Sequence, residues 1–95
     1  MEIRIVASLQ AKAEFIEEVG AAVKQVVAPS RRESGNLQYD LHAEIGKPGA
    51  FVFFERWKSQ AQLTEHEQSE HFQRLVSRLA GKTSAMEIKL LQYLD

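Results

Sequence analysis

The sequence contains no cysteine. Without thiols the chain can form no disulfide bond, no thiolate nucleophile, no iron–sulfur cluster and no cysteine-bound zinc site. It also has only five glycines and two prolines, and the glycines fit neither a dinucleotide-binding loop, a phosphate-binding loop nor a serine-hydrolase elbow. These absences predict a protein without a nucleotide cofactor and without thiol chemistry.

The chain also lacks a long hydrophobic run and a cluster of charge of one sign. Twelve basic and thirteen acidic side chains are interspersed, giving a net charge of −1, whereas nucleic acids and anionic membranes attract clustered positive charge. No 18 apolar residues follow one another, and the first four residues already include an acid and a base, unlike a secretory signal. We expect a cytoplasmic protein with neither a nucleic-acid nor a membrane partner, and with 95 residues a single domain over 1–95.

Hydrophobic periodicity divides the chain into alternating strand-like segments and segments with helical spacing. Pro29 is expected to end the first helix and to open a polar loop, and Gly81 to stop the last helical stretch. The predicted elements, in chain order, are a strand over 2–10, a helix over 12–28, a loop over 29–35, a strand over 37–42, a turn at 46–49, a strand over 50–58, a short helix that opens with a capping box at 59–62, a helical stretch over 72–79, and a strand over 86–90 continuing to 94.

The order β-α-β-β-α-β predicts the ferredoxin-like α+β fold, a four-stranded antiparallel sheet with its helices on one face. The other face would then carry an apolar patch that is large for so small a protein. Its members by strand alternation are Val6, Val52, Phe54, Leu91 and Tyr93. We therefore predict a homodimer that forms through this sheet face.

Three candidate site residues share the helix-facing side of the predicted sheet: Tyr39 on the second strand, and Glu55 and Trp57 on the third. A carboxylate inside an apolar face is costly unless it is paired. The simplest interpretation is that Glu55 bonds a neighbour and Trp57 belongs to the core. Arg31 and Arg32 are expected to lie on a solvated loop.

The segment from His66 to His71 matches neither H-E-x-x-H nor H-x-x-E-H. On a continuous helix the five-residue step turns the two imidazoles about 140° apart, at roughly 100° per residue, so they share a ligand direction only if the helix breaks between them. The sequence therefore predicts no metal site, and solvated histidines on a helix edge are the plain alternative to a functional role.

Three pieces in series resemble the antibiotic biosynthesis monooxygenase family: Arg31-x-Glu33-x-Gly35-x-x-x-Tyr39, then Glu55-x-Trp57, then His66-x₄-His71-Phe72. The resemblance covers nearly the whole chain. It implies the same ferredoxin-like fold and a dimeric α+β barrel, in which the sheets of two chains pack together and the C-terminal strands extend onto the partner.

The resemblance also implies an activity, namely oxygenation of phenolic or quinol-type rings by O₂ without metal, flavin or other cofactor. His66 or His71 would then act as base, with Trp57 beside them in the catalytic set. Tyr39 and Phe72 would complete an aromatic wall. Ser8, a candidate substrate-binding residue, stands where the first strand of oxygenating relatives has an asparagine. Glu55 would border the substrate and, with Glu33 and Gly35, hold the frame.

Two other functions remain open at this point. The same scaffold hosts isomerases or detoxifying enzymes of small hydroxyketones and their phosphates, for which Arg31 or Arg32 and the histidines would suit an anionic substrate. A non-catalytic dimer that binds a small ligand is the third hypothesis. An apolar cavity with one or two histidines favours the oxygenase, a rim of arginine favours the isomerase, and a filled interior favours the binding module.

Overall fold

A computed structural model describes all residues, 1–95. It contains four strands, four α-helices and a 3₁₀ turn at Ala13–Phe15. In chain order the elements are β1 (Ile3–Ala11), α1 (Ile16–Gln25), α2 (Val27–Arg31), β2 (Asn36–Ala43), β3 (Ala50–Trp57), α3 (Gln60–Glu67), α4 (Glu70–Leu79) and β4 (Thr83–Leu91). None of the helices combines the length and the apolar character that a bilayer span needs.

The strands form one antiparallel sheet in the order β2-β3-β1-β4, which confirms the predicted ferredoxin-like arrangement. Fourteen buried residues make one core between the helices and one sheet face. Ile5 of β1, Val23 of α1, Phe53 of β3 and Leu75 of α4 belong to it, so every layer contributes. Burying these side chains is the main favourable term for so small a fold.

The register confirms which side chains share the opposite, helix-free face. Val6 pairs with Phe54, Ser8 with Val52, and Arg4 with Leu91. Val6, Val52 and Phe54 are half-buried within the single chain, whereas Leu91 is exposed. The exposed apolar side chain of this face therefore lies at the end of β4, whose other residues on the same face, Glu87 and Lys89, are charged.

The first helical segment differs from the prediction at both ends. Lys12 is extended, and α2 continues the helical path through Pro29 instead of ending before it. Pro29 is the third residue of α2, where a backbone N–H has no helical acceptor, so the ring costs no hydrogen bond there. The predicted loop 29–35 is consequently a helical turn followed by a short turn, with Ser30 fully buried and its hydroxyl donating to the Val26 carbonyl at 2.7 Å.

A break between α3 and α4 changes the direction of the chain after Glu67. Ser59 caps α3, as the capping box predicts, by accepting the Gln62 N–H at 3.4 Å. Ser69 caps α4 in the same way through the Phe72 N–H at 3.2 Å. The prediction that strand structure continues to 94 is wrong, because β4 ends at Leu91.

Candidate active site

A cavity of about 330 Å³ lies between the sheet and the paired helices α3 and α4. Its lining is predominantly apolar, with thirteen hydrophobic residues among nineteen, and contains no lysine or arginine. It opens where β4 has no helix above it, at Val76, Met86 and Ile88, each of which is at least half exposed. The volume is at the lower end of the range for small-molecule sites, roughly 300–1,000 Å³.

His66 closes the inner part of this cavity and is only 1% exposed. Its ring is in contact with aromatic rings on three sides: Trp57 at 4.4 Å between centroids, Phe72 at 5.0 Å and Tyr39 at 5.4 Å. Nδ1 lies 2.6 Å from the Glu33 Oε2, while Nε2 is buried without any hydrogen-bond partner. Because a carboxylate can only accept, Nδ1 carries the proton and Nε2 presents a lone pair.

Glu33 holds both histidines through one oxygen. His71 Nε2 lies 2.8 Å from the same Oε2 that bonds His66. The break between α3 and α4 makes this convergence possible, so the opposed directions expected for a continuous helix do not occur. His71 itself does not line the cavity but borders a small depression between α4 and the helices α1 and α2. Of the two histidines suggested as the base, His66 therefore borders the cavity and His71 does not.

Glu33, His66 and His71 are also the one group of residues with the composition of a metal site. Their ligand atoms lie within 4.8 Å of one another. Two of the contacts are direct hydrogen bonds of 2.6 and 2.8 Å, whereas ligands about 2.0–2.1 Å from a common tetrahedral ion stand roughly 3.3 Å apart. An ion would have to displace these hydrogen bonds, which already satisfy the three atoms.

Burial lowers the pKa of His66, against the opposing effect of its hydrogen bond with Glu33. The ring is therefore neutral in the resting protein near pH 7, and it can accept a proton at Nε2. Glu33 would stabilise the resulting imidazolium through Nδ1.

Trp57 is completely buried and lies behind His66 rather than in the cavity wall. Its indole N–H donates to Glu55 Oε1 at 2.9 Å, two residues earlier on the same face of β3. Glu55 does border the cavity, and burial raises its pKa to about 7. Tyr39 and Phe72 therefore form the aromatic part of the cavity wall. Trp57 packs against His66 and donates a hydrogen bond to Glu55 without lining the cavity itself.

Tyr39 is 2% exposed, borders the cavity and packs against Phe53 at 5.4 Å between ring centroids. Burial and the neighbouring Glu55 carboxyl raise the pKa of its phenol far above the ordinary value. Tyr39 therefore stays protonated and serves as a wall, not as a base.

Ser8 borders the cavity, whereas Gly35 does not. Strand alternation nevertheless directs the Ser8 side chain to the helix-free face with Val6, so a substrate contact through its hydroxyl is not supported. Gly35 packs closely against the start of α3, because a Cβ there would lie 2.4 Å from the Cβ of Gln62.

Sequence reasoning missed the contribution of β4 to the cavity. Met86 and Ile88 face the helix side and line the opening, as the alternation of the last strand could have indicated. Arg31, by contrast, turns away from the cavity: its Nε donates to the Tyr39 carbonyl at 2.9 Å and its Nη2 to Asp40 at 3.2 Å. Neither Arg31 nor Arg32 lines the cavity.

The fold and this apolar, histidine-containing cavity define a ferredoxin-like protein with a small-molecule site. A sequence profile of the family described as antibiotic biosynthesis monooxygenase matches residues 2–78, and the chain belongs to that family. The resemblance found in the sequence is thereby confirmed.

Individual relatives agree with this membership. "Putative monooxygenase YcnE" of Bacillus subtilis is 38% identical over 72 residues, 76% of each chain. The crystal structure of PA3566 from Pseudomonas aeruginosa superposes with a TM-score of 0.94 at 31% identity, covering 99% of this chain and 95% of that one. Rv0793 from Mycobacterium tuberculosis has the same fold, with a TM-score of 0.94 at 24% identity over 100% and 97% of the two chains. The family and these names support a monooxygenase-type activity and specify no substrate.

Proposed function

We propose that this protein is a cofactor-independent monooxygenase that oxidises small phenolic or quinol-type aromatic substrates with O₂. The observation that carries the proposal is the unpartnered Nε2 of His66, a buried base beside an apolar cavity. A buried polar atom without a partner is costly, so a ligand hydroxyl that donates to Nε2 would remove that cost on binding.

The chemistry requires only a base, a binding surface and O₂. His66 takes the proton of the ring hydroxyl at Nε2, and Glu33 stabilises the imidazolium from Nδ1. The phenolate gives one electron to O₂, and the resulting radical pair combines to a ring-bound peroxide. Protonation of the peroxide, loss of the hydrogen on that carbon and departure of water leave a carbonyl. One phenol and one O₂ thus yield one quinone and one water.

The isomerase hypothesis loses its main support. A phosphate or carboxylate substrate needs cationic or backbone donors, but the cavity has no lysine or arginine and includes two carboxyl groups, those of Glu55 and Glu67. An uncharged aromatic substrate suits this lining better.

The test is O₂ uptake, measured by electrode with a panel of hydroquinones and anthrones against heat-inactivated protein. His66→Gln should lower kcat by ~10²–10⁴, the usual range for loss of a general base. His71→Gln is the matched control and should lower it less than tenfold, because His71 does not border the cavity. Ligand binding without O₂ uptake across the panel would contradict the oxygenase and favour the non-catalytic binding module.

The homodimer belongs to the same proposal. The helix-free face carries Val6, Val52 and Phe54 at its centre and the exposed Leu91 and Tyr93 at its edge. Light scattering at micromolar concentration should give about twice the mass of the 10.8 kDa chain. Phe54→Arg should shift the mass to that of one chain, and a monomeric parent protein would refute this assembly.

A further inference from the structure

Glu55 stands apart from the other carboxylates of this protein, because it is buried in the cavity wall without a cation. It is 6% exposed, and its one hydrogen bond comes from the Trp57 indole to Oε1. The ion pairs of the protein involve other acids throughout, such as Glu2 with Arg56 and Glu33 with His66. A buried carboxyl group with no positive partner favours its neutral, protonated form.

The groups that face Glu55 reinforce this preference. Tyr39 lies opposite it on β2, Ile5 opposite it on β1, and His66 and Glu67 border the same cavity from α3. None of them is a permanent cation, and the negative charges of Glu33 and Glu67 oppose ionisation further, so burial and these charges raise the pKa of Glu55 to about 7. Near neutral pH the cavity thus holds one base, His66, and one available acid.

We propose that Glu55 is a second catalytic residue. As an acid it protonates the ring-bound peroxide, and as a carboxylate it then removes the proton from the ring carbon that carries the peroxide. The inference rests on the proposed oxygenase function and deepens it. It assigns the base and the acid to two neighbouring side chains of the cavity wall, both of which contact Trp57.

The proton balance closes over one turnover. His66 takes the hydroxyl proton, O₂ adds to the ring, and Glu55 donates its proton to the peroxide anion, which gives a hydroperoxide and a Glu55 carboxylate. The carboxylate then takes the proton from the oxygenated carbon as the O–O bond breaks. The departing hydroxide takes the proton from His66 and leaves as water, so both residues regain their starting states.

Glu55→Gln tests this role with little change in packing, because the amide oxygen can still accept from the Trp57 indole. The variant should keep O₂ uptake with an anthrone but accumulate a hydroperoxide and release quinone ~10²–10⁴-fold more slowly. The parent rate should fall as pH rises above about 7, when Glu55 loses its proton, and that decline should be absent from the variant. Glu65→Gln, an exposed position on α3, is the control and should match the parent protein.

A binding measurement keeps the inference testable without turnover. The chain has one tryptophan, adjacent to Glu55, whose fluorescence can report binding of 1,4-naphthoquinone, a carbonyl acceptor that does not titrate. Binding to the parent protein should weaken about fivefold between pH 6 and pH 8, the value of one neutral hydrogen bond, and binding to Glu55→Gln should not change.

The outcomes separate the two claims. If His66→Gln leaves O₂ uptake intact, or no substrate is oxidised, the proposed function fails, while the quinone titration still decides whether Glu55 is a proton donor. Equal quinone release and the same pH dependence of naphthoquinone binding in parent and Glu55→Gln would overturn the role of Glu55.

Discussion

The buried Glu55 should make the stability of the folded protein depend on pH. Its pKa rises from 4.5 to about 7 on folding, mainly because burial disfavours the carboxylate. The unfolded chain therefore releases this proton at lower pH than the folded chain does. The free energy of unfolding should fall as pH rises between about 4.5 and 7 and should level off above that range.

The size of the effect follows from the shift in the Glu55 pKa. Each unit is worth about 1.4 kcal/mol, so the full change from 4.5 to about 7 corresponds to about 3 kcal/mol. His66 acts in the opposite direction: its pKa is lowered by burial, so protonation below about 6.5 favours the unfolded chain. Only a comparison with a variant isolates the contribution of Glu55.

Urea unfolding followed by tryptophan fluorescence measures this difference at fixed protein concentration, at pH 5 and at pH 8. Relative to the parent protein, Glu55→Gln should gain about 2.5 kcal/mol in the free energy of unfolding on going from pH 5 to pH 8, because part of the full change already occurs below pH 5. Glu65→Gln should follow the parent at both values. A difference between parent and Glu55→Gln that stays constant with pH would refute the assignment of a protonated Glu55.

Three further predictions concern the packing of Gly35, the hydrogen bond between Glu33 and His66, and the metal content of the protein. Gly35→Ala should lower the free energy of unfolding by about 2 kcal/mol or more in thermal melts, because the new Cβ would overlap Gln62. The control is Gly20→Ala in α1, where the nearest neighbour of the new Cβ lies at 3.5 Å, and it should leave the free energy of unfolding unchanged or raise it. Glu33→Gln should cost about 2 kcal/mol and lower oxygenase turnover, since His66 loses its charged partner; full turnover would argue against the positioning role. Elemental analysis after chelator treatment should find no stoichiometric metal, and retained metal whose removal abolishes activity would contradict a cofactor-independent reaction.

The order of the elements was accessible from sequence because strand alternation and helical spacing are local signals. β1 and β3 each alternate apolar side chains toward the core, so both their positions and their faces could be predicted. Pro29 misled the prediction because its cost depends on position within a helix. In the first turn of α2 the missing N–H has no acceptor to lose, and only the three-dimensional path of the chain reveals that α1 and α2 are separate helices.

The histidine site was predictable in composition but not in geometry. His66, Glu33 and His71 could be singled out by residue type and by resemblance, yet their convergence depends on the break at Gln68 and Ser69. Such a break has a weak sequence signal, a serine that caps the following helix. Without it the two imidazoles would point in different directions, and a shared carboxylate oxygen would not have been expected.

The location of the cavity explains how a chain of 95 residues can hold one at all. A void carved out of the middle of the core would remove contacts that a small fold needs for stability. Here the core of fourteen buried residues stays continuous, and the cavity forms at its margin, where α4 ends at Leu79 and β4 runs on without a helix above it. The apolar surface that stays in contact with water is instead that of Met86, Ile88 and Leu90, which remain more than half exposed in the single chain. A bound aromatic ligand that covers Met86 and Ile88 would bury part of this apolar surface. Ligand binding should therefore stabilise the folded protein through β4.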